Sequence, residues 1–327
     1  MLISKGVQDV EKFLIIADDF TGANDTGVQL KKRGLKTDVI FEFTSVENQE
    51  KSIVLDTESR GLSPQKAYDD VELKIKDAFK NNFNYVYKKV DSTLRGNIVS
   101  EIKAVDKHYH ADIIIFAPAY PESKRTTING IQKLNGVPVT ETEIAKDPRN
   151  PVLIDNINIL LENEFKEQVT HVYLKEIREN KIDISKGRIY TFDAEINEDL
   201  IAIVRKVITY GKKILWVGSA GLAESIIKVK MPTKPVLAVI GSISEVSRNQ
   251  LYYAHSKGIN IVNVNIGDIL KSNDTSQIVY DAIEKINQDL DVIIASTYER
   301  MDYEKAILIG KSLGYTKDEV SAFTQNI

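Results

Sequence analysis

Short apolar runs separated by amphipathic stretches set the pattern of this chain. Phe13 to Ile16 is a continuous apolar run bounded by turn-forming residues, which predicts a strand buried on both faces, as in the middle of a parallel sheet. Comparable runs recur at Thr37–Glu42, Ser52–Asp56, Tyr85–Val90 and Asp112–Ala117, then near His171–Leu174, Arg188–Phe192 and Ile214–Val217. Between them, apolar residues return at helical spacing. Ala67, Val71, Ile75, Ala78 and Phe79 mark one helical face in Pro64–Lys80, with Pro64 suited to the first turn. Further helices are expected after Gly22, near Ile98–His108 and near Asn197–Ile208. Such alternation predicts a mainly parallel sheet with helices on both faces.

The alternation breaks once and restarts once. Pro118 to Pro151 is long and rich in turn residues, with a hairpin signal at Asn135–Gly136. Loops of that length in a compact domain are usually functional or disordered, and its aromatic, proline and threonine content argues for order. Met231 to Pro235 carries two prolines and reads as a linker, because a fresh apolar run, Val236 to Ile240, follows directly. Strands near Ile259–Val264 and Val292–Ser296 and helices near Ser276–Ile286 and Tyr303–Leu313 continue the pattern. At 327 residues the chain exceeds what one core usually holds. The expected architecture is α/β throughout: two three-layer domains with mainly parallel sheets, residues 1–230 and 231–327, the second incomplete.

Composition removes whole classes of function. With 43 basic and 47 acidic residues the formal charge is −4, which argues against a general binder of nucleic acid or anionic membrane. Cysteine is absent, so disulfides, thiolate metal sites and a cysteine nucleophile are excluded. His108, His110, His171 and His255 show no zinc spacing, and no metal ligand can be named. No apolar run approaches a membrane span, and the first residues lack the apolar core of a signal peptide, so a cytoplasmic protein is expected.

Candidate chemistry gathers where strands end. Asp18 and Asp19 follow the first strand directly, and Thr21 and Gly22 supply turn and cap chemistry. A cap explains one acidic residue there; a second adds like-charge repulsion that needs a lysine, a metal or a substrate hydroxyl as partner. The third strand ends in Asp56, Thr57, Glu58, Ser59 and Arg60. The fourth ends in Lys88, Lys89, Val90, Asp91, Ser92, Thr93, Arg95 and Gly96, a mixture suited to a polyhydroxy acid or to a salt-bridged surface turn. In open parallel sheets these ends line one ligand-binding edge. Lys124, Arg125, Thr126 and Thr127 could hold an anion or lie on a solvated hairpin. GSAGLAES from Gly218 and GSISEVSRNQ from Gly241 are strand-turn-helix junctions where backbone N–H groups can receive phosphate, although close packing is the commoner explanation of the first.

These stretches together, IADDFTGANDTGVQLKKRG, DTESRG, VYKKVDSTLRGNI, the KRTT loop, NGVPVTETEIAKDP, GSAGLA and GSISEVSRNQ, resemble the four-carbon acid sugar kinases in order and spacing across most of the chain. Lys124 stands where that family usually has glycine. The resemblance implies an N-terminal sugar-acid domain, a C-terminal nucleotide domain, and ATP with Mg2+ as cofactors. The reaction implied is phosphorylation of the terminal hydroxyl of a four-carbon acid, with threonate as the first choice and erythronate or 3-oxo-tetronate as alternatives. Substrate contacts would fall on Asp19, Arg60, Lys88, Lys89, Val90 and Asp91, and ATP contacts on Ser242 or Ser244. Arg60 would grip the carboxylate, Lys89 would add charge, and Asp19, or else Asp91, would take the hydroxyl proton. No nucleic-acid or membrane partner is implied, and a homodimer stays open. Glycine-rich nucleotide motifs expected later in the family are not visible before Ile327, so the chain alone is expected to bind the acid but turn it over poorly. A non-catalytic sugar-acid-binding protein is the rival reading. A dehydrogenase fails for want of GxGxxG after a strand.

Overall fold

Apolar runs with no polar alternation become the central strands of an eight-stranded sheet, because helices cover both of its faces. The computed structural model describes residues 11–43, 51–232, 235–272, 274–288, 290–296 and 298–325. Strands β1 (Phe13–Ala17), β2 (Thr37–Ile40), β3 (Ser52–Asp56), β4 (Tyr85–Lys89) and β5 (Ile113–Ala117) come first. β6 (Arg125–Ile128), β7 (Ile131–Leu134) and β8 (Val137–Pro138) form a small antiparallel sheet, and β9 (Val169–Val172), β10 (Ile189–Phe192) and β11 (Ile214–Gly218) return to the large one. Its order is β2-β3-β1-β4-β11-β5-β10-β9, with every neighbouring pair parallel.

Side chains alternate between two cores. Phe13, Ile15 and Ala17 of β1 pack with α1 (Phe20–Lys32), α5 (Leu174–Arg178), α6 (Asn197–Ile208) and α7 (Ala220–Lys230). Leu14 and Ile16 pack on the opposite face with α2 (Pro64–Ile75), α3 (Ile98–Tyr109) and α4 (Ile157–Phe165). The chain leaves β1 for β2 and β3 on one side, then crosses to β4 on the other. That reversal opens a crevice at the carboxyl ends of β1 and β4, where parallel α/β sheets take their ligands.

The chain divides into two compact units, Met1–Pro232 and Thr233–Ile327. The second holds a parallel sheet in the order β12-β14-β13, made of β12 (Leu237–Ile240), β13 (Asn260–Asn263) and β14 (Val292–Ala295). Helices α8 (Glu245–Ser256), α9 (Ile266–Ser272), α10 (Ser276–Asn287), α11 (Arg300–Ser312) and α12 (Lys317–Gln325) surround it. Among the described residues no helix is long and apolar enough to cross a membrane.

Three local expectations need correction. The helix from Pro64 ends at Ile75, and Ala78–Lys80 forms a separate 3-10 turn. The strand placed at His171–Leu174 lies at Val169–Val172, because the Glu176 carboxylate accepts the Tyr173 N–H at 3.0 Å and starts α5. The segment after β5 contains two tight hairpins: Asn129 and Gly130 have φ of 55° and 75°, and Asn135 and Gly136 have 53° and 83°. Paired positive φ angles match the right-handed twist of the flanking strands.

Candidate functional site

The crevice contains a three-centred ion cluster. Asp19 ends the β1 turn and caps α1, its Oδ1 accepting the Gly22 N–H at 3.0 Å. Arg60, just past β3, reaches both neighbouring carboxylates. Its Nε and Nη2 donate to Asp18 at 2.7 and 2.9 Å, and its Nη1 and Nη2 donate to Asp19 at 2.7 and 2.8 Å. The like-charge repulsion between the two aspartates is answered by one guanidinium. The loop bearing Arg60 is fixed by Asn97, whose Nδ2 donates to the Ser59 and Leu62 carbonyls at 3.0 and 2.8 Å.

Two glycines make the cluster fit. A Cβ on Gly22 would lie 2.7 Å from Asp19 Oδ1 and 3.0 Å from Lys89 Nζ. Gly96 combines a φ of +95° with a Cβ position 3.1 Å from Asp18 Oδ2 and 3.2 Å from Arg60 Cγ. Both positions lack room for a side chain, and Gly96 adopts the left-handed backbone that favours glycine.

Strand alternation separates the paired lysines. Lys88 points to the α3 face, fully buried, and forms an ion pair of 2.8 Å with Glu101, itself 1% exposed. Its Nζ also donates to the Lys89 and Ile16 carbonyls at 2.7 and 3.3 Å. Burial raises the Glu101 pKa, opposed by the Lys88 charge. The Lys88 donors are therefore engaged within the protein, where they tie β4 to α3. Lys89 points the other way, against Gly22, with Nζ donating to the Val90 carbonyl at 3.0 Å and no carboxylate within ion-pair reach among the described residues. Burial lowers its pKa, as does the Arg60 charge, against the pull of Asp18, Asp91 and Asp19. Val90 lies in the core on the α3 side, and its carbonyl serves Lys89.

Asp91 is saturated. Its Oδ2 accepts from the Thr93 hydroxyl and from the Thr93 N–H at 3.1 Å, and Arg95 Nε and Nη2 grip both oxygens at 3.0 Å. Burial pushes its pKa up, but the hydrogen bonds from Arg95 and Thr93 outweigh it and hold the carboxyl well below the usual range. A carboxylate so held is a weaker proton acceptor.

A cleft of about 510 Å³ is lined by Asp19, Gly22, Arg60, Lys89, Asp91, Ser92, Arg95 and Arg125, with Ser219 and Ala220 at the start of α7. Ser219 does not offer its hydroxyl to a ligand: it donates to the Ala119 carbonyl at 2.8 Å and accepts the Gly221 N–H at 3.2 Å. Asp18 and Arg125 also stand here; the sequence marks both as candidates but leaves them outside the set of substrate contacts implied by the family resemblance. The adjacent aspartates and the KRTT stretch are the signals that mark them.

In the second unit, β12 runs into α8 through the GSISE turn. Ser244 caps α8, its Oγ accepting the Ser247 N–H at 3.2 Å, and the Ser242 Oγ lies 3.1 Å from it. These exposed hydroxyls at a helix N-terminus form a donor set that fits a phosphate group. Among the described residues no group of three or more acidic, histidine or cysteine side chains could hold a metal ion.

Residues 13–226 match the model of the sugar-binding N-terminal domain, and the chain belongs to that family. Its curated relatives are kinases of four-carbon acids. It is 34% identical over 260 residues to a D-threonate kinase of Salmonella typhimurium, covering 76% of this chain and 62% of that one. It is 29% identical over 258 residues to a D-erythronate kinase of Heliobacterium modesticaldum, covering 73% and 59%. The chain thus spans less than two thirds of these relatives. A crystal structure from Bordetella bronchiseptica, a domain-swapped dimer with bound citrate, shares the fold at a TM-score of 0.59 and 24% identity, covering 93% of this chain and 81% of that one.

Proposed function

We propose that residues 1–230 bind a four-carbon sugar acid, D-threonate first, in the cleft at the ends of β1 and β4, and that residues 231–327 receive ATP for phosphorylation of its terminal hydroxyl. The observation that carries this reading is the Asp18–Asp19–Arg60 cluster beside a buried lysine without a carboxylate partner. Such a site offers acceptors for hydroxyl groups next to a positive charge for an acid. D-erythronate and 3-oxo-tetronate, the acids named in other relatives, fit the same chemistry.

Phosphoryl transfer depends on positioning and charge neutralisation more than on covalent catalysis. Asp19 is the carboxylate at the mouth of the cluster, with its side chain 28% exposed, whereas that of Asp18 is 3% exposed. It orients the attacking hydroxyl and receives its proton as the bond to phosphorus forms. Arg60 fixes the direction of both carboxylates with four of its five N–H donors; the anion-gripping fork expected of it from sequence is already filled, so its role becomes positioning. Lys89 supplies positive charge to the bound acid. ATP with Mg2+ supplies the phosphoryl group and neutralises its oxygens, and Ser242 and Ser244 would hold its phosphates. Separate calorimetric titrations of D-threonate and ATP, with a coupled phosphorylation assay, test the reading. Saturable binding of both with turnover supports a kinase. Binding of the acid alone points to a sugar-acid-binding protein, and binding of neither overturns the proposal.

A further inference from the structure

Four cations line the cleft, and the structure uses two of them internally: Arg60 on Asp18 and Asp19, and Arg95 on Asp91, with Asp147 at 3.5 Å. Lys89 is a point charge held by one carbonyl. Arg125 differs from all three. Its Nη1 donates to the Ser123 carbonyl at 2.6 Å, its Nε is sealed from solvent with no hydrogen-bond partner, and no carboxylate among the described residues pairs with it. The sealed Nε cannot reach a ligand, but Nη2 makes no hydrogen bond among the described residues, so the terminal edge of a guanidinium in a ligand cleft keeps donors that an acceptor from outside the protein can take. The planar group that matches such an edge is a carboxylate.

Arg125 is also held in place. Its backbone exchanges hydrogen bonds with Tyr120, N to O at 3.1 and 2.7 Å. At the far end of β6, Asp193 accepts the Asn129 and Gly130 N–H groups at 3.0 and 2.9 Å and lies 3.0 Å from His171 Nε2. In the middle, Thr127 donates to Gln132, whose Nε2 donates to the Ser92 carbonyl on the cleft wall at 2.6 Å. The hairpin is thus a rigid arm fastened to the site it serves.

We infer that Arg125 receives the carboxylate of the sugar acid and sets the preference for acids over neutral polyols, with Lys89 adding charge and the Asp19 cluster taking the hydroxyl end. This inference rests on the sugar-acid reading of the cleft. Calorimetry of D-threonate and of its neutral counterpart D-threitol with wild type, Arg125→Gln, Arg125→Lys and Lys124→Gln tests it. Unfolding followed through Trp216 provides the folding check. Arg125→Gln should bind D-threonate about 10- to 100-fold more weakly, with D-threitol unaffected and the unfolding midpoint preserved. Arg125→Lys should recover part of the loss, and exposed Lys124 should not matter. Wild-type affinity for D-threonate in Arg125→Gln, or equal losses for acid and polyol, would overturn the inference while leaving the cleft's sugar reading intact. A wild-type chain that binds neither compound would overturn both.

Discussion

Replacing Arg60 by alanine should unfold the first unit more readily, in addition to any effect on ligand binding. The Asp18 side chain is 3% exposed, and Arg60, 17% exposed, is its hydrogen-bond partner through Nε and Nη2. Removing one member of such a pair strands a buried charge, which costs about 3–5 kcal/mol. Asp19, with its side chain 28% exposed, keeps its cap contact to Gly22 and water on its open side, so it adds less. For a unit of this size, that range corresponds to a fall in Tm of roughly 6–20 °C. The assay is built into the sequence: the single tryptophan, Trp216, lies 2% exposed in β11 at the middle of the large sheet. Its fluorescence during urea unfolding reports on the first unit. The diagnostic control is Asp18→Asn in the Arg60→Ala background, which removes the stranded charge and should restore about half of the loss or more. Stability of Arg60→Ala within about 1 kcal/mol of wild type, or no recovery in the double variant, would show that the cluster does not hold the crevice together.

Other predictions follow from the same contacts. Glu101→Gln leaves the Lys88 ammonium buried and unpaired, so it should lose about 3–5 kcal/mol by the same fluorescence, whereas loss of sugar-acid affinity at unchanged stability would put Lys88 in the binding site. Asp91 has a depressed pKa in the folded state, so its contribution is full above its ordinary value of 3.8 and is lost progressively as pH falls from there through the lower folded value; the stability gap between wild type and Asp91→Asn should therefore hold from neutral pH to about pH 5 and begin to narrow below about pH 4, and a gap that stays constant down to about pH 3 would refute this. Asp19→Asn keeps the cap acceptor but loses the proton acceptor, so kcat in the coupled assay should fall about 100-fold or more with KM near wild type; a change in KM alone would make Asp19 a binding residue only.

What the sequence reveals, and what it conceals, follows from the range of the interactions involved. β1, β3, β4, β5 and β11 are legible because strands buried on both faces carry runs of consecutive apolar or aromatic residues, and the polar ends of β1, β3 and β4 announce the crevice. Those ends do not announce who pairs with whom. Arg60 meets Asp18 and Asp19 across 42 and 41 residues, a contact that exists only because β3 lies beside β1. Lys88 and Lys89 look equivalent in sequence because both faces of β4 are covered, and only the placement of α3 under one and Gly22 beside the other separates a structural lysine from a cleft lysine. The hairpin arm is a different case. Asn129–Gly130 carries the same turn signal as Asn135–Gly136, yet Asp193, the carboxylate that fixes it, lies 63 residues away from Gly130. Saturation of Asp91 is partly local, through Thr93 and Arg95, and that part is readable from the spacing in DSTLR.

The most direct measurement is a crystal structure of this chain with D-threonate. The account predicts density for the acid in the cleft at the ends of β1 and β4, with hydroxyl oxygens within hydrogen-bond distance of Asp19 and the carboxylate facing Lys89. Density for the acid elsewhere, for instance in the recess of about 880 Å³ lined by Arg178, Arg205 and Lys228, with the Asp18–Asp19–Arg60 cluster left untouched, would contradict it.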